Sequence, residues 1–378
     1  MLFFTKLASR RVKLPPACAL LLGIAACGFA PRAQADPPGP FAWGETTPVA
    51  DAGWGRMISL HGARWLCVNS LYPAPHAILQ IEISTDNART WTPIATVAEP
   101  GRDLDNGDLI LLPDNTLRLT CRSVVGEHDQ QPGAVHSYHL PVYQSRNGGK
   151  TWTFLSQTDT SEPPSFMPGQ PSVGLWEPFL FLLANGKLAC AYANEKHAVG
   201  QPSYSQIVAQ RVSGDGGRTW GRELTVAAQS GGGGQRPGMP VVARMIDGRY
   251  ICVYEVVGVG DADVYYKTSP DGVTWPPGIG TAIPGQHAGP WVTSLRSGRL
   301  VVTSCENQIS YSDDLGATWQ IASPPPFPLG HALSWPAIYQ TGPDEIAVMT
   351  TWHGVNLRRG RILPVPRVDT KSLKASRK

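Results

Sequence analysis

Apolar residues in this chain come in short paired runs, each pair divided by a turn. MISLHGARWLCV, LILLPDNTLRLTC, FLFLLANGKLACAY, VVARMIDGRYICVYE and VTSLRSGRLVVTSC each place two apolar segments about a turn bearing Gly or Asn. This pattern predicts β-hairpins, because Gly and Asn tolerate the backbone of a tight turn between strands. A sixth pair, SWPAIYQTGPDEIAVMTTW, has the same form. The first run of each pair opens at a Pro or Gly: Gly55, Gly107, Pro178, Pro240, Pro290 and Pro336.

A second pattern follows five of the six hairpins. STDNARTW (84–91), SRNGGKTW (145–152), SGDGGRTW (213–220), SPDGVTW (269–275) and SDDLGATW (312–319) share the form Ser-x-Asp-x-Gly-x-Thr-Trp. Asn147 replaces Asp in the second, Ala88 replaces Gly in the first, and the fourth is one residue shorter. In such a turn the Asp accepts backbone N–H groups and the Gly supplies positive φ. Thr then opens the next strand, and Trp carries a large apolar surface to bury between sheets. The motif is therefore structural.

The repeating unit is strand, turn, strand, loop, strand, box, strand. A repeat of this period whose units bury their faces against one another predicts a propeller. The fold class expected is all-β, a six-bladed β-propeller of four-stranded antiparallel blades in a single domain, residues 36–366. The last blade is expected to take its outer strand from the region of Thr46 to Ala50, which closes the ring without a free sheet edge.

Composition refines this picture. The 378 residues include 40 Gly, 35 Pro and 12 Trp, a profile of turns and strands rather than helices. Residues 1–35 read as an export signal: Lys6, Arg10, Arg11 and Lys13, an apolar stretch from Ala17 to Ala30, then Ala33-Gln34-Ala35 as a small-x-small cleavage site. Ser9-Arg10-Arg11 has a twin-arginine character, and Ile24-Ala25-Ala26-Cys27 leaves a lipid anchor at Cys27 open. The expected location is secreted or periplasmic, with no membrane span. The leader carries five basic residues and no acidic one, so its removal takes the formal charge from +3 to −2. A near-neutral chain does not suit nucleic acid, and the basic run 367–378 reads as a terminal tail. Five cysteines remain (Cys67, Cys121, Cys190, Cys252 and Cys305), an odd number. Cys67, Cys190 and Cys252 stand at matching places in different units. Such places lie too far apart on a ring for a disulfide and suit buried apolar filling. No spacing suggests a metal site, and no cofactor is expected. The histidines (His128, His136, His139, His197, His287, His331 and His353) fall mostly in loops.

Propeller topology locates a site. Strands alternate in direction, so the starts of first strands and the ends of second strands share one face, opposite the boxes. Just before the Pro/Gly position stand Trp54, Asn106, Glu177, Met239, Gly289 and Trp335, with Asp105 and Arg56 beside them. The ends of the second strands read Ser70, Arg122, Ala193, Glu255 and Cys305. Charges inside apolar runs are rarely buried unpaired. Glu177 in WEPFLF and Glu255 in ICVYEVVG, with arginines nearby, form the carboxylate pair a glycosidase needs. A structural ion pair such as Glu177 with Arg122 is the alternative.

The boxes resemble those of sialidases, although the Phe/Tyr-Arg-Ile-Pro motif is replaced by Gly53-Trp54-Gly55-Arg56. The stretches Arg56, Leu104-Asp105-Asn106 with Arg122, Trp176-Glu177-Pro178-Phe179, and Arg236-Pro237-Gly238-Met239 with Glu255 are similar to those of glycoside hydrolase family 93 exo-arabinanases. The likeness runs from about residue 50 to 363. It implies a sialidase-like fold and a monomeric, retaining exo-glycosidase acting on an oligosaccharide or polysaccharide. In that reading Glu177 is acid/base and Glu255 nucleophile, or the reverse, with carboxyls about 5–5.5 Å apart. Arg56, Asp105, Asn106, Arg122, Arg236 and Trp335 would bind substrate. Trp291 and Trp54 would either stack on sugars or pack between blades, and the Gly-rich segment 230–238 would be a lid or a linker. An exo-α-sialidase, with Arg56, Arg122 and Arg236 on a carboxylate, and a non-catalytic glycan- or protein-binding propeller remain alternatives.

Overall fold

The computed structural model describes residues 39–364 except 127, 128, 130, 166, 168, 170–172, 200–203, 230–233, 329, 331 and 332. The expected leader with Cys27, the tail 367–378, His128, His331 and residues 230–233 lie outside the described residues.

The described residues form six four-stranded antiparallel sheets. Blade 1 is β2 (Gly53–Ser59), β3 (Trp65–Leu71), β4 (Ile78–Ser84) and β5 (Thr92–Val97). Blade 2 is β6 (Asp103–Leu111), β7 (Leu117–Val125), β8 (Ser137–Ser145) and β9 (Thr153–Ser161). Blade 3 is β10 (Leu175–Leu182), β11 (Leu188–Asn194), β12 (Ile207–Ser213) and β13 (Leu224–Ala227). Blade 4 is β14 (Arg236–Arg244), β15 (Tyr250–Val257), β16 (Asp263–Ser269) and β17 (Thr281–His287). Blade 5 is β18 (Trp291–Ser294), β19 (Leu300–Thr303), β20 (Ile309–Ser312) and β21 (Gln320–Ile321). Blade 6 joins β22 (Ala337–Gly342), β23 (Glu345–Thr351) and β24 (Val355–Ile362) to β1 (Phe41–Ala50). The outer strand of blade 6 thus comes from the start of the described chain, in register from Phe41↔Ile362 to Ala50↔Val355. This is the closure expected from the sequence, with a longer strand.

Five of the six hairpin turns repeat one hydrogen bond, from the N–H of Leu60, Leu112, Leu183, Met245 or Leu295 to the carbonyl four residues on. The boxes knit the opposite face. In blade 3, Asp215 accepts the N–H groups of Arg218 (3.0 Å) and Thr219 (2.9 Å) and the Thr219 hydroxyl (2.7 Å). The box tryptophans are half-buried. Trp220 donates to Ser156 Oγ of blade 2, and Trp275 to Gln210 Oε1 of blade 3, so each bridges a seam between blades. Cys67, Cys121, Cys190 and Cys252 are free and buried, and Cys305 is free and partly buried. Stripes of β-strand apolar residues such as Leu66, Val68, Leu79 and Leu109 fill the space between sheets, which is the main stabilising term in a fold of this kind. Among the described residues no helix is long and apolar enough to cross a membrane.

Candidate active site

The inner strands open with a shared distortion. Trp54 (φ 49°), Asn106 (54°), Glu177 (45°), Met239 (51°), Gly289 (51°) and Trp335 (48°) all lie in the left-handed region. In blades 1 to 4 the pairing with the second strand shifts at this point, between Gly53 and Arg56, Asp105 and Asp108, Trp176 and Phe179, and Gly238 and Val241. A β-bulge re-aims a side chain out of the pleat, and five of these six positions carry a residue for which positive φ is unfavourable. The column that the sequence singled out is thus a ring of left-handed residues, four of them at β-bulges.

Four of these six N–H groups are tied to the preceding blade. Thr351 Oγ1 accepts the Trp54 N–H at 3.1 Å, Glu255 Oε2 accepts that of Gly289 at 2.7 Å, and Cys305 is bonded by that of Trp335. The residues Ser70, Arg122, Ala193 and Glu255 pair with Gly53, Asp105, Trp176 and Gly238 at the ends of second strands. Ala193 has no side-chain acceptor, and there the Glu177 carboxylate takes the Met239 N–H instead. Glu177 and Glu255 therefore occupy adjacent seams on one face.

Their electrostatics are coupled. Burial first and the Glu255 charge second push Glu177 up to about 8, against Arg122 and the Met239 N–H. Burial also raises Glu255, opposed by the Gly289 N–H and Arg236. A buried carboxyl within reach of a second negative charge keeps its proton to near neutrality.

Glu177 also lines an axial pocket with Trp54, Arg56, Asp108, Met239 and Trp291. The pocket is small, with room for about 20 Å³. Arg56 is only 4% exposed. Its guanidinium lies between the rings of Trp54 (4.3 Å) and Trp291 (5.0 Å) and donates to the Gly55 and Trp335 carbonyls. Trp54 and Trp291 are buried, the packing reading for both, whereas Trp335 is 40% exposed. Asp105 accepts Ser70 Oγ (2.5 Å), Tyr72 Oη (3.2 Å) and the Asn106 N–H (2.7 Å), with Arg122 at 3.7 Å. Arg122 also lies over the Trp176 ring at 5.0 Å. Asn106 is buried. Arg236 is not in a lid: it opens β14, bonded to Glu195 and to Gln206 Oε1 (3.0 Å). The three arginines proposed for a sialidase triad thus each have protein partners.

Two acids escaped the sequence reading. Asp108 is buried at the axis beside Glu177; its Oδ2 accepts the Leu180 N–H at 2.7 Å, and burial raises it to about 7 against Arg56. Glu195 is 1% exposed and holds both Arg236 and the Gly174 N–H. The available signal was a carboxylate next to an apolar run, as in Asn106-Gly107-Asp108-Leu109-Ile110 and Ala193-Asn194-Glu195. Among the described residues no group of three or more His, Cys, Asp or Glu could hold a metal ion.

The BNR repeat-like domain family model matches residues 74–320, well over half of the chain. The chain belongs to this family. No curated protein matches the sequence at a significant level. Solved structures similar to this BNR-repeat protein include a GH93 α-L-arabinofuranosidase of Fusarium graminearum with arabinobiose, at 20% identity and TM-score 0.70, covering 84% of this chain and 98% of that one. An α-L-arabinanase of Penicillium chrysogenum with arabinobiose matches at 22% identity and TM-score 0.69, covering 85% and 99%. The NanB sialidase of Streptococcus pneumoniae matches at 11% identity and TM-score 0.57, covering 87% and 71%. At these identities the likeness is one of fold.

Proposed function

We propose that this BNR-repeat protein is an exported, monomeric retaining exo-glycosidase acting on arabinan or a related polysaccharide. The observation that carries the reading is Glu177 lining the axial pocket, with Glu255 of the adjacent blade close enough for its charge to act on it. The similar folds of the two arabinan-related enzymes and the leader-like residues 1–35 support it.

Glu177 keeps its proton to about pH 8 because burial and the Glu255 charge disfavour its ionised form. It is therefore suited to protonate the departing glycosidic oxygen. Glu255, with the Gly289 N–H and Arg236 favouring its charge, is the better nucleophile. Its carboxylate attacks the anomeric carbon as the C–O bond breaks, and Glu177, now ionised, takes a proton from the water that releases the sugar.

The test is hydrolysis of linear α-1,5-arabinan, an aryl α-L-arabinofuranoside, an aryl sialoside and other plant polysaccharides by wild type, Glu177→Gln and Glu255→Gln. Release of a short arabinan product with retained configuration is expected, falling by about 10²–10⁴-fold in Glu177→Gln. Sialoside turnover would replace the substrate assignment, and absence of any turnover by folded protein would leave a glycan-binding propeller.

A further inference from the structure

Three large aromatic side chains are exposed on the carboxylate face: Tyr72 (59%), Trp335 (40%) and Trp352 (36%). Trp335 is the left-handed residue before β22, Trp352 follows the end of β23, and Tyr72 follows the end of β3. By strand direction all three emerge on the face that carries Glu177 and Glu255.

They are joined through a continuous set of contacts. The Trp335 ring lies 5.6 Å from that of Trp54. The Thr351 N–H donates to the Ser334 carbonyl, and Thr351 Oγ1 accepts the Trp54 N–H, which brings the Trp352 turn beside both. A Cβ on Gly53 would meet the Tyr72 ring at about 3.1 Å, so that ring covers Gly53. The arc is also continuous with the carboxyl pair: a Cβ on Gly289, whose N–H binds Glu255, would lie 3.5 Å from Trp335 Cδ1.

The arc spans blades 6 and 1, and the carboxyls project from blades 3 and 4. Trp335 reaches Glu255 through Gly289, so the arc runs from the Glu255 side of the mouth round to blade 1. Of the charged groups close to the arc, Arg56 lies beneath Trp54 and Asp105 is bound by Ser70, Tyr72 and the Asn106 N–H, while Asp51 is exposed beside the Trp352 turn and disfavours an anionic chain there. What the arc offers is therefore aromatic face. Exposed aromatic surface of this extent marks a binding surface, and the apolar C–H face of an uncharged sugar ring is the partner that fits it.

We propose that Trp335, Trp352 and Tyr72 form a stacking platform for successive sugar rings of a neutral polysaccharide, so that the site holds a chain laid across the mouth rather than a single terminal sugar. The proposal rests on the glycosidase reading for the position of the cleaved bond, but binding tests it separately.

The experiment measures kcat/KM for linear α-1,5-arabino-oligosaccharides of increasing length and for the aryl arabinofuranoside, in wild type, Trp352→Ala, Trp352→Phe and Tyr72→Ala. It also measures binding of the same oligosaccharides, and of polygalacturonate, to Glu177→Gln protein by calorimetry, with and without the Trp352 and Tyr72 changes. The ratio of kcat/KM for the longer oligosaccharides to that for the aryl glycoside should fall about tenfold in each Ala variant and be largely restored in Trp352→Phe. Oligosaccharide binding to Glu177→Gln should weaken by a similar factor. If nothing is hydrolysed yet the oligosaccharides bind through these rings, the glycosidase reading fails and the platform stands. An unchanged ratio with unchanged binding, or tighter binding of polygalacturonate than of the neutral chain, would overturn the platform.

Discussion

Arg236 shows how a single side chain is set at the mouth. Its guanidinium is bonded to Glu195 and Gln206, while its charge bears on Glu255. Glu195 is almost wholly buried and is bound also by the Gly174 N–H. Removing one partner of such a pair leaves a charge buried without its counter-ion, which costs ~3–5 kcal/mol when both are fully enclosed. Because Arg236 is partly exposed, Arg236→Met should destabilise by about 2–3 kcal/mol in urea unfolding. Adding Glu195→Gln should recover a good part of that loss, a coupling that a double-mutant cycle reads directly. Sequence patterning found Glu255, since a charge in an apolar run stands out, whereas Arg236 was singled out by the family resemblance alone. Patterning missed Glu195 and Asp108: Glu195 meets Gly174 at the open end of its own hairpin and Arg236 of the next blade, and Asp108 meets Leu180 of the next blade.

At the scale of the element, the bulge is the unit that builds the site. Six inner strands begin with a left-handed residue, and the same distortion aims Trp54, Glu177 and Trp335 toward the axis. Left-handed backbone at a non-glycine residue costs ~1–3 kcal/mol, so the fold tolerates strain here in return for side-chain direction. Gly289 is the one of the six without a side chain, and a Cβ there would lie 2.8 Å from Cys305 Sγ. Gly289→Ala should therefore lower unfolding stability by about 1–3 kcal/mol, measured by denaturant midpoint at constant m. The hairpins and boxes were legible because their chemistry is local: the four-residue turn bond and the Asp-centred loop involve near neighbours only. The bulges were visible as a column of unusual residues before Pro or Gly, but their positive φ was not, since Trp, Asn, Glu and Met do not announce it.

For the whole molecule, two sets of carboxyls pull the pH dependence of stability in opposite directions. The box aspartates Asp215 and Asp271, held down to about 2 by backbone N–H and hydroxyl donors despite their burial penalty, stabilise the fold above the ordinary carboxylate range, and that contribution is lost as pH falls toward 2. Glu177, Asp108 and Glu82, raised by burial to about 8, 7 and 7, bind protons more tightly folded than unfolded. Their contribution is complete below the unfolded pKa near 4 and is lost as pH rises through about 7–8. The melting temperature should thus be lower at pH 8 than at pH 5, and Glu177→Gln with Asp108→Asn should flatten that slope; an unchanged slope would mean these groups ionise freely. By itself the sequence determined the blade count, the antiparallel hairpins, the closing strand, the face on which the site lies and two acids on it. All of these follow from periodicity and from turn chemistry within a few residues. Only the tertiary structure decided that Arg56 and Trp291 belong to the axial packing, that Trp335 is open, and that Asp108 lies beside Glu177 and Glu195 beside Arg236. Burial and pairing between blades depend on how six separate sheets meet around one axis, and no local pattern encodes that meeting.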